Sequence, residues 1–306
     1  MSARASLLLS ISSLAVALCN AGCDEALKRV SLIEETRVLG ARVEVESDPS
    51  RGSPAPGEPA TLRWFVVAPD GEPSFSYALA VCAAPLTNSG LPTCAGAPFA
   101  SAERVEPSDD PARLDFTVPD ELDLSATPHA FAHGLICPDS ALTLALDGAA
   151  SCVTGTGTDV AFEFALGGDE QNRNPSFAPD ALTLDDEPWP ASAAVACDDA
   201  DLRRVTGKSR HRLQVALADS DFEWLTQPTS VDPARETLLV SPFANAGKLS
   251  NGFLSLAADT PIEERQVNWD APALADDLPR LVRFYFVVRD ARGGQDFTER
   301  RLCVVP

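Results

Sequence analysis

From residue 36 onward the chain is written in short runs that alternate apolar and polar residues. Gly, Pro, Asp and Asn punctuate them, and no stretch has the 3.6-residue period of a long helix. Ala41, Val43 and Val45 alternate with Arg42, Glu44 and Glu46, and Leu62, Trp64 and Val66 alternate with Thr61, Arg63 and Phe65. Phe75, Tyr77, Leu79 and Val81 alternate with Ser76, Ala78, Ala80 and Cys82. Leu114, Phe116 and Val118 follow, then a run from His129 to Cys137, then Val160, Phe162, Phe164 and Leu166. The second half repeats the style. Leu213, Val215 and Leu217 form one run. Val282, Phe284, Phe286 and Val288 form another, against Arg283, Tyr285, Val287 and Arg289, and a Gly293-Gly294 turn leads into a closing strand. A period of two places one set of side chains on each face of a strand. Strands at this spacing predict an all-β sandwich architecture.

The 306 residues are enough for about two domains. The segment 167–175, GGDEQNRNP, has no large apolar residue and is read as the linker. This divides the folded part into a first domain over 36–168 and a second over 176–306. Forty-five acidic residues against 24 basic ones give a formal charge of −21, which repels phosphate backbones, so no nucleic-acid partner is expected.

The N-terminus has the parts of a secretory signal. Arg4 precedes an apolar stretch, ASLLLSISSLAVA, and small residues follow before a cleavage point. The stretch is shorter than the ~20 residues of a spanning helix, and no later segment is long and apolar enough to be one. Ala21-Gly22 directly before Cys23 resembles a bacterial lipobox, which implies a signal peptide over 1–22 and a lipid on Cys23 that tethers the protein to a membrane. Asn20 departs from the Leu usual at that point of the motif. Cleavage without lipidation would instead release a soluble secreted protein. Residues 23–35, with the charged run DEALKRVSLIEE, are read as the tether.

With Cys19 in the signal and Cys23 carrying lipid, six cysteines remain: Cys82, Cys94, Cys137, Cys152, Cys197 and Cys303. An even set in an exported chain reads as three disulfides. The preferred pairing is Cys82–Cys94, Cys137–Cys152 and Cys197–Cys303, among 15 connectivities that six cysteines allow. No C-x-x-C pair supports a zinc site.

The run 38–45, the Pro/Gly loop after it and Leu62-Arg63-Trp64 ending at Pro69-Asp70-Gly71 look like the start of a bacterial Ig-like domain. NWDAP at 268–272, RFYFVVRDARGG at 283–294 and RLCVV at 301–305 are similar to the closing strands of Ig-like or PKD-like modules. Together with the lipobox, the layout resembles uncharacterised lipoproteins of myxobacteria and their relatives. The resemblance implies two Ig-like domains and supplies no catalytic residues, because this sandwich hosts many unrelated roles.

His129 and His133 have H-x-x-x-H spacing, but position 130 is Ala, and on a strand the pair lies about 13 Å apart, too far for one metal. Gly207-Lys208-Ser209 lacks the upstream Gly of a P-loop and reads as a turn into the next strand. No G-x-S-x-G elbow exposes a serine, and His211, between two arginines, reads as a surface residue. Three acidic groups are the candidates for calcium: Asp185, Asp186 and Glu187; Asp198, Asp199 and Asp201; Asp219, Asp221 and Glu223. None completes an EF-hand loop, and composition alone accounts for such clusters. Trp64 fits a core position, while Trp189, between two prolines, reads as packed under a loop or as an exposed binding aromatic.

The functional expectation is therefore a non-catalytic envelope lipoprotein. It acts as a structural or protein-interaction module, needs no cofactor, and has the membrane and an envelope protein as partners. The alternative is a secreted or surface adhesion module for carbohydrate or a calcium-dependent partner.

Overall fold

The alternating runs pair into antiparallel sheets. The computed structural model describes residues 30–71, 73–85, 92–145, 149–167, 172–225, 234–276 and 278–306. The signal peptide and Cys23 lie outside the described residues. No α-helix occurs among the described residues; the only helical pieces there are two single 3-10 turns, Asp219–Asp221 and Ile262–Glu264.

In the first half, β1 (Arg37–Val45), β2 (Pro59–Val67) and β5 (Ala112–Thr117) form one sheet in the order β1-β2-β5. It faces a second sheet of β3 (Phe75–Ala84), β4 (Ala100–Ser108), β6 (His129–Pro138) and β9 (Thr158–Ala165), in the order β4-β3-β6-β9. A small hairpin, β7 (Leu142–Leu144) with β8 (Ala150–Cys152), lies between β6 and β9 in the chain. The inward sets of the alternating runs meet as one core: Val43, Leu62, Trp64, Leu79, Val81, Leu114, Ile136, Phe162 and Phe164 are buried together. Trp64 and Phe162 meet edge to face across the two sheets, 6.0 Å between centroids. Each fully buried side chain of this size contributes about 1.5–3 kcal/mol against the entropy of ordering the chain.

The second half is a second sandwich. One sheet has β10 (Leu182–Leu184), β11 (Glu187–Pro188), β13 (Arg210–Val215), β17 (Lys248–Leu249) and β19 (Gln266–Asp270), in the order β11-β10-β13-β19-β17. The other has β12 (Arg204–Thr206), β16 (Leu238–Ala244), β18 (Leu254–Leu256), β20 (Arg280–Arg289) and β21 (Gln295–Val305), in the order β12-β21-β20-β16-β18. A separate pair joins β14 (Trp224–Leu225) to β15 (Ala234–Arg235). β12 runs parallel to β21, and the other named strand pairs are antiparallel. From β16 to β20 successive strands alternate between the two sheets, as in Ig-like sandwiches. Trp189 and Trp269 fill the centre, each edge-on to Phe284 at 5.0 and 4.8 Å. Trp189 is 2% exposed and its Nε1 donates to the Arg301 carbonyl at 3.1 Å, which rules out the binding-aromatic reading of this residue.

The two cores join through a third. Ile33, Leu39 and Val67 from the N-terminal side pack with Phe243, Tyr285 and Val287 on the outward face of the β16–β20 pair. Strand β20 is consequently buried on both faces from Val282 to Val288, so its second set of residues is interior rather than solvent-facing. Ser31–Pro306 forms one packed unit. Two expectations change with it. The tether does not extend to residue 35, because Ile33 is fully buried and donates its amide to the Ala244 carbonyl at 2.9 Å. The described end of the linker segment is not loose: Asn172 and Asn174 are buried, and Asn174 Nδ2 donates to the Val43 carbonyl at 2.7 Å while its Oδ1 accepts the Gln295 amide at 3.2 Å. Asparagine side chains supply there the cohesion that apolar residues supply elsewhere.

Gly293 shows how closely the halves approach. It turns the β20–β21 hairpin with φ at +95°, and a Cβ on it would stand 2.7 Å from the Phe164 Cα of β9. Only glycine tolerates both the dihedral and the approach.

Candidate functional site: a trough on the first sandwich

Three disulfides are formed, Cys82–Cys94, Cys137–Cys152 and Cys197–Cys303, the pairing preferred from the sequence. They fit an oxidising compartment, extracellular or periplasmic. Their placement matters more than their number. Cys82 and Cys137 both belong to the outward-facing set of the β4-β3-β6-β9 sheet, so the first two bridges pin chain segments over that one face.

Between those bridges the face is carved into a trough of about 890 Å³. The cause is local sequence. The outward set of β3 is Ser76, Ala78, Ala80 and Cys82, all small. Gly134 on β6 lies so close to the Ala78 carbonyl oxygen that a Cβ there would collide with it. Strand register then places residues in rows across the floor. Glu103, Ala78, Leu135 and Asp159 form one row, from β4 through β3 and β6 to β9. Ser101, Ala80, His133 and Ala161 form the next. Leu144 of the β7–β8 hairpin adds an exposed apolar wall, and His133 closes one side, stacked on Phe131 at 5.3 Å.

His133 Nε2 lies 3.5 Å from Cys94 Sγ. Cys82, Cys94 and His133 are the one trio of potential metal ligands brought within 4.8 Å of each other among the described residues. The two sulfurs are bonded to one another, so the trio offers no thiolate. His129 does not join it; its Nδ1 pairs with Glu163 Oε1 at 2.8 Å.

The acidic groups proposed for calcium do not converge. Asp219 pairs with Arg235 at 2.7 Å, Glu223 pairs with Arg292 at 2.5 Å, and Asp221 accepts from the amides of Ser176 and Ala218. Asp199 accepts the Asp201 amide in a local turn, and Asp186 is tied to Arg212.

Sequence reasoning missed one assembly. Ser209 Oγ lies 2.5 Å from His211 Nε2, and His211 Nδ1 lies 2.6 Å from Asp185 Oδ2. His211 is not a surface residue: its side chain is 12% exposed and its ring tilts against Trp269 at 5.9 Å. Burial pushes the Asp185 carboxyl up, but hydrogen bonds from His211 and the Arg212 amide outweigh it and hold the group below its ordinary value. The order Ser–His–Asp matches a nucleophile with its base and orienting acid. The surroundings do not. The Ser209 hydroxyl is also bonded to the Thr206 carbonyl. The amides of Gly207, Lys208 and Ser209 donate to the carbonyls of Val305, Pro272 and Thr206, so none is free to hold an oxyanion. The three residues close the end of the second core as a hydrogen-bonded cap.

Trp224 is 64% exposed, with the Arg235 guanidinium 5.5 Å from its ring centre.

No family model and no curated protein matches the chain. Among solved structures it is similar to dimeric latent PorU from Porphyromonas gingivalis, at 13% identity and a TM-score of 0.20, covering 87% of this chain and 24% of that one.

Proposed function

We propose that the chain is an exported envelope lipoprotein, anchored by a lipid on Cys23, that works by binding a partner rather than by catalysis. The observation that carries the reading is the trough on the β4-β3-β6-β9 face, a concavity of ligand size framed by two disulfides on a rigid sheet. Three disulfides and the signal-like N-terminus support export, and Ala21-Gly22-Cys23 supports the anchor. The docked sandwiches hold the trough at a fixed orientation to the rest of the folded body. The test is intact mass and membrane partition of the protein made in a bacterium with lipoprotein processing, beside Cys23→Ala. Wild type is expected to begin at Cys23 with added acyl mass and to sediment with membranes, while the variant is soluble. A soluble, unacylated wild type cut near Ala21 overturns the anchor.

A second reading, a secreted carbohydrate-binding module, is favoured by Trp224, whose exposed ring and neighbouring Arg235 suit stacking on a sugar face. Binding of an oligosaccharide that Trp224→Ala abolishes would support it.

A further inference from the structure

Resting on the binding reading above, we propose that the trough recognises an extended peptide segment with two basic side chains four residues apart and an apolar one midway. The argument begins with charge. Among the described residues, the ionisable ones lining the trough are Glu103, Asp159 and His133, and neither Lys nor Arg is among them. Elsewhere among the described residues carboxylates are paired with arginines, as Glu58 is with Arg51, Asp115 with Arg113 and Asp270 with Arg210. Glu103 and Asp159 have no ion pair among the described residues, and both are exposed. An acidic lining with no described Lys or Arg favours a cationic occupant, and the chain's net charge of −21 steers one toward it.

The spacing of the two carboxylates sets the rest. Glu103 and Asp159 occupy the two ends of a single row, separated by Ala78 and Leu135. Three interstrand steps of ~4.8 Å put their positions about 14 Å apart. An extended peptide rises ~3.3 Å per residue and turns alternate side chains to the same side, so residues i and i+4 are about 13 Å apart and face the floor together. Basic residues at those positions reach one carboxylate each. The residue midway, i+2, then points at Ala78, whose small side chain leaves room, beside Leu135. An apolar side chain fills that space and buries against Leu135 and Leu144, while the aliphatic stems of the basic residues cover the remaining apolar surface.

The test is a titration calorimetry experiment on the full folded protein with the blocked peptide Arg-Ala-Leu-Ala-Arg. Its controls are Glu-Ala-Leu-Ala-Glu, Ala-Ala-Leu-Ala-Ala and the isomer Arg-Arg-Leu-Ala-Ala, and the variants are Glu103→Gln with Asp159→Asn, and Ala78→Trp. Both variants lie on the outward face, so retained thermal unfolding certifies their folding. Saturable binding of the first peptide is expected, at least tenfold tighter than the isomer, weakened by salt, and lost at least tenfold in both variants. Equal binding in the double variant overturns the proposal, because attraction to the overall negative charge then accounts for it. Equal binding of the neutral peptide, blocked by Ala78→Trp, overturns the charge selection and leaves the binding reading standing. Absence of binding by all four peptides overturns the proposal, while the acylation and partition test decides the anchor separately.

Discussion

The ring of Phe65 lies flat on that of Phe297, centroids 4.0 Å apart and planes 9° from parallel. Phe65 belongs to β2 of the first sandwich and Phe297 to β21 of the second, so this stack is a contact between the two halves. Tyr285 meets Phe65 edge-on at 5.9 Å and donates its hydroxyl to the Ala68 carbonyl at 3.2 Å. Phe65→Ala removes both ring contacts at a position outside either sandwich core. It is expected to cost about 2–3 kcal/mol and to split a single urea transition into two, as the halves lose their coupling. Circular dichroism and tryptophan fluorescence followed in parallel check this; coincident curves in the variant contradict it.

Arg292 holds together a group of acids, Glu236 buried and Glu223 and Asp290 half-buried. It lies 2.5 Å from Glu223 and 3.2 Å from Glu236, and Glu236 is 2% exposed. Burial raises the pKa of both Glu236 and Asp290 despite the hydrogen bonds that oppose it. A carboxyl whose folded pKa exceeds its unfolded one binds protons more readily in the folded state, so its contribution to stability falls as pH rises through the interval between the two. Arg292→Leu strips the compensating cation and widens that interval. The variant is expected to lose about 3 kcal/mol at pH 7 and to recover part of the loss at pH 5. Urea melts at the two values measure it, and a deficit independent of pH contradicts the account.

Gly293→Ala tests the closest approach of the hairpin to β9. The added methyl meets the Phe164 Cα and the dihedral is unfavourable for alanine. A loss of about 2 kcal/mol is expected, read as a lower thermal midpoint. An unchanged midpoint means that the hairpin can withdraw from β9 freely.

The Ser209–His211–Asp185 array is expected to be inert. A fluorophosphonate probe, which labels activated serines, should leave Ser209 unmodified, because its hydroxyl and the nearby amides are already bonded to carbonyls. Peptide mass mapping gives the answer, and a phosphonylated Ser209 would reopen a hydrolase reading.

Much of this architecture was legible from period-two alternation, because the core-facing residues of β2, β3 and β9, such as Leu62, Trp64, Leu79, Val81, Phe162 and Phe164, are apolar at alternate positions. The face that became the trough was also written in the sequence, as Ser76, Ala78, Ala80 and Cys82 in alternate positions. What alternation could not give was the register that aligns Glu103 with Asp159 across two other strands. The docking of the halves had a weaker signal: 284–288, FYFVV, is apolar at every position, which an antiparallel strand wet on one face does not need. The segment at 172–175 misled because its cohesion is polar and long-range, with Asn174 bonded to Val43 and Gln295. Asp185 and His211 stand 26 residues apart, and only the β10–β13 pairing brings them together.

The central claim is that the outward face of β3 and β6 is the working surface. Methyl chemical-shift mapping of the full folded protein, titrated with Arg-Ala-Leu-Ala-Arg, tests it most directly. The account predicts saturable shifts of the Ala78, Ala80, Leu135 and Leu144 methyls, with the buried methyls of Leu213 and Val240 in the second sandwich unmoved. Shifts confined to the second sandwich, or none at the four trough methyls, would contradict it.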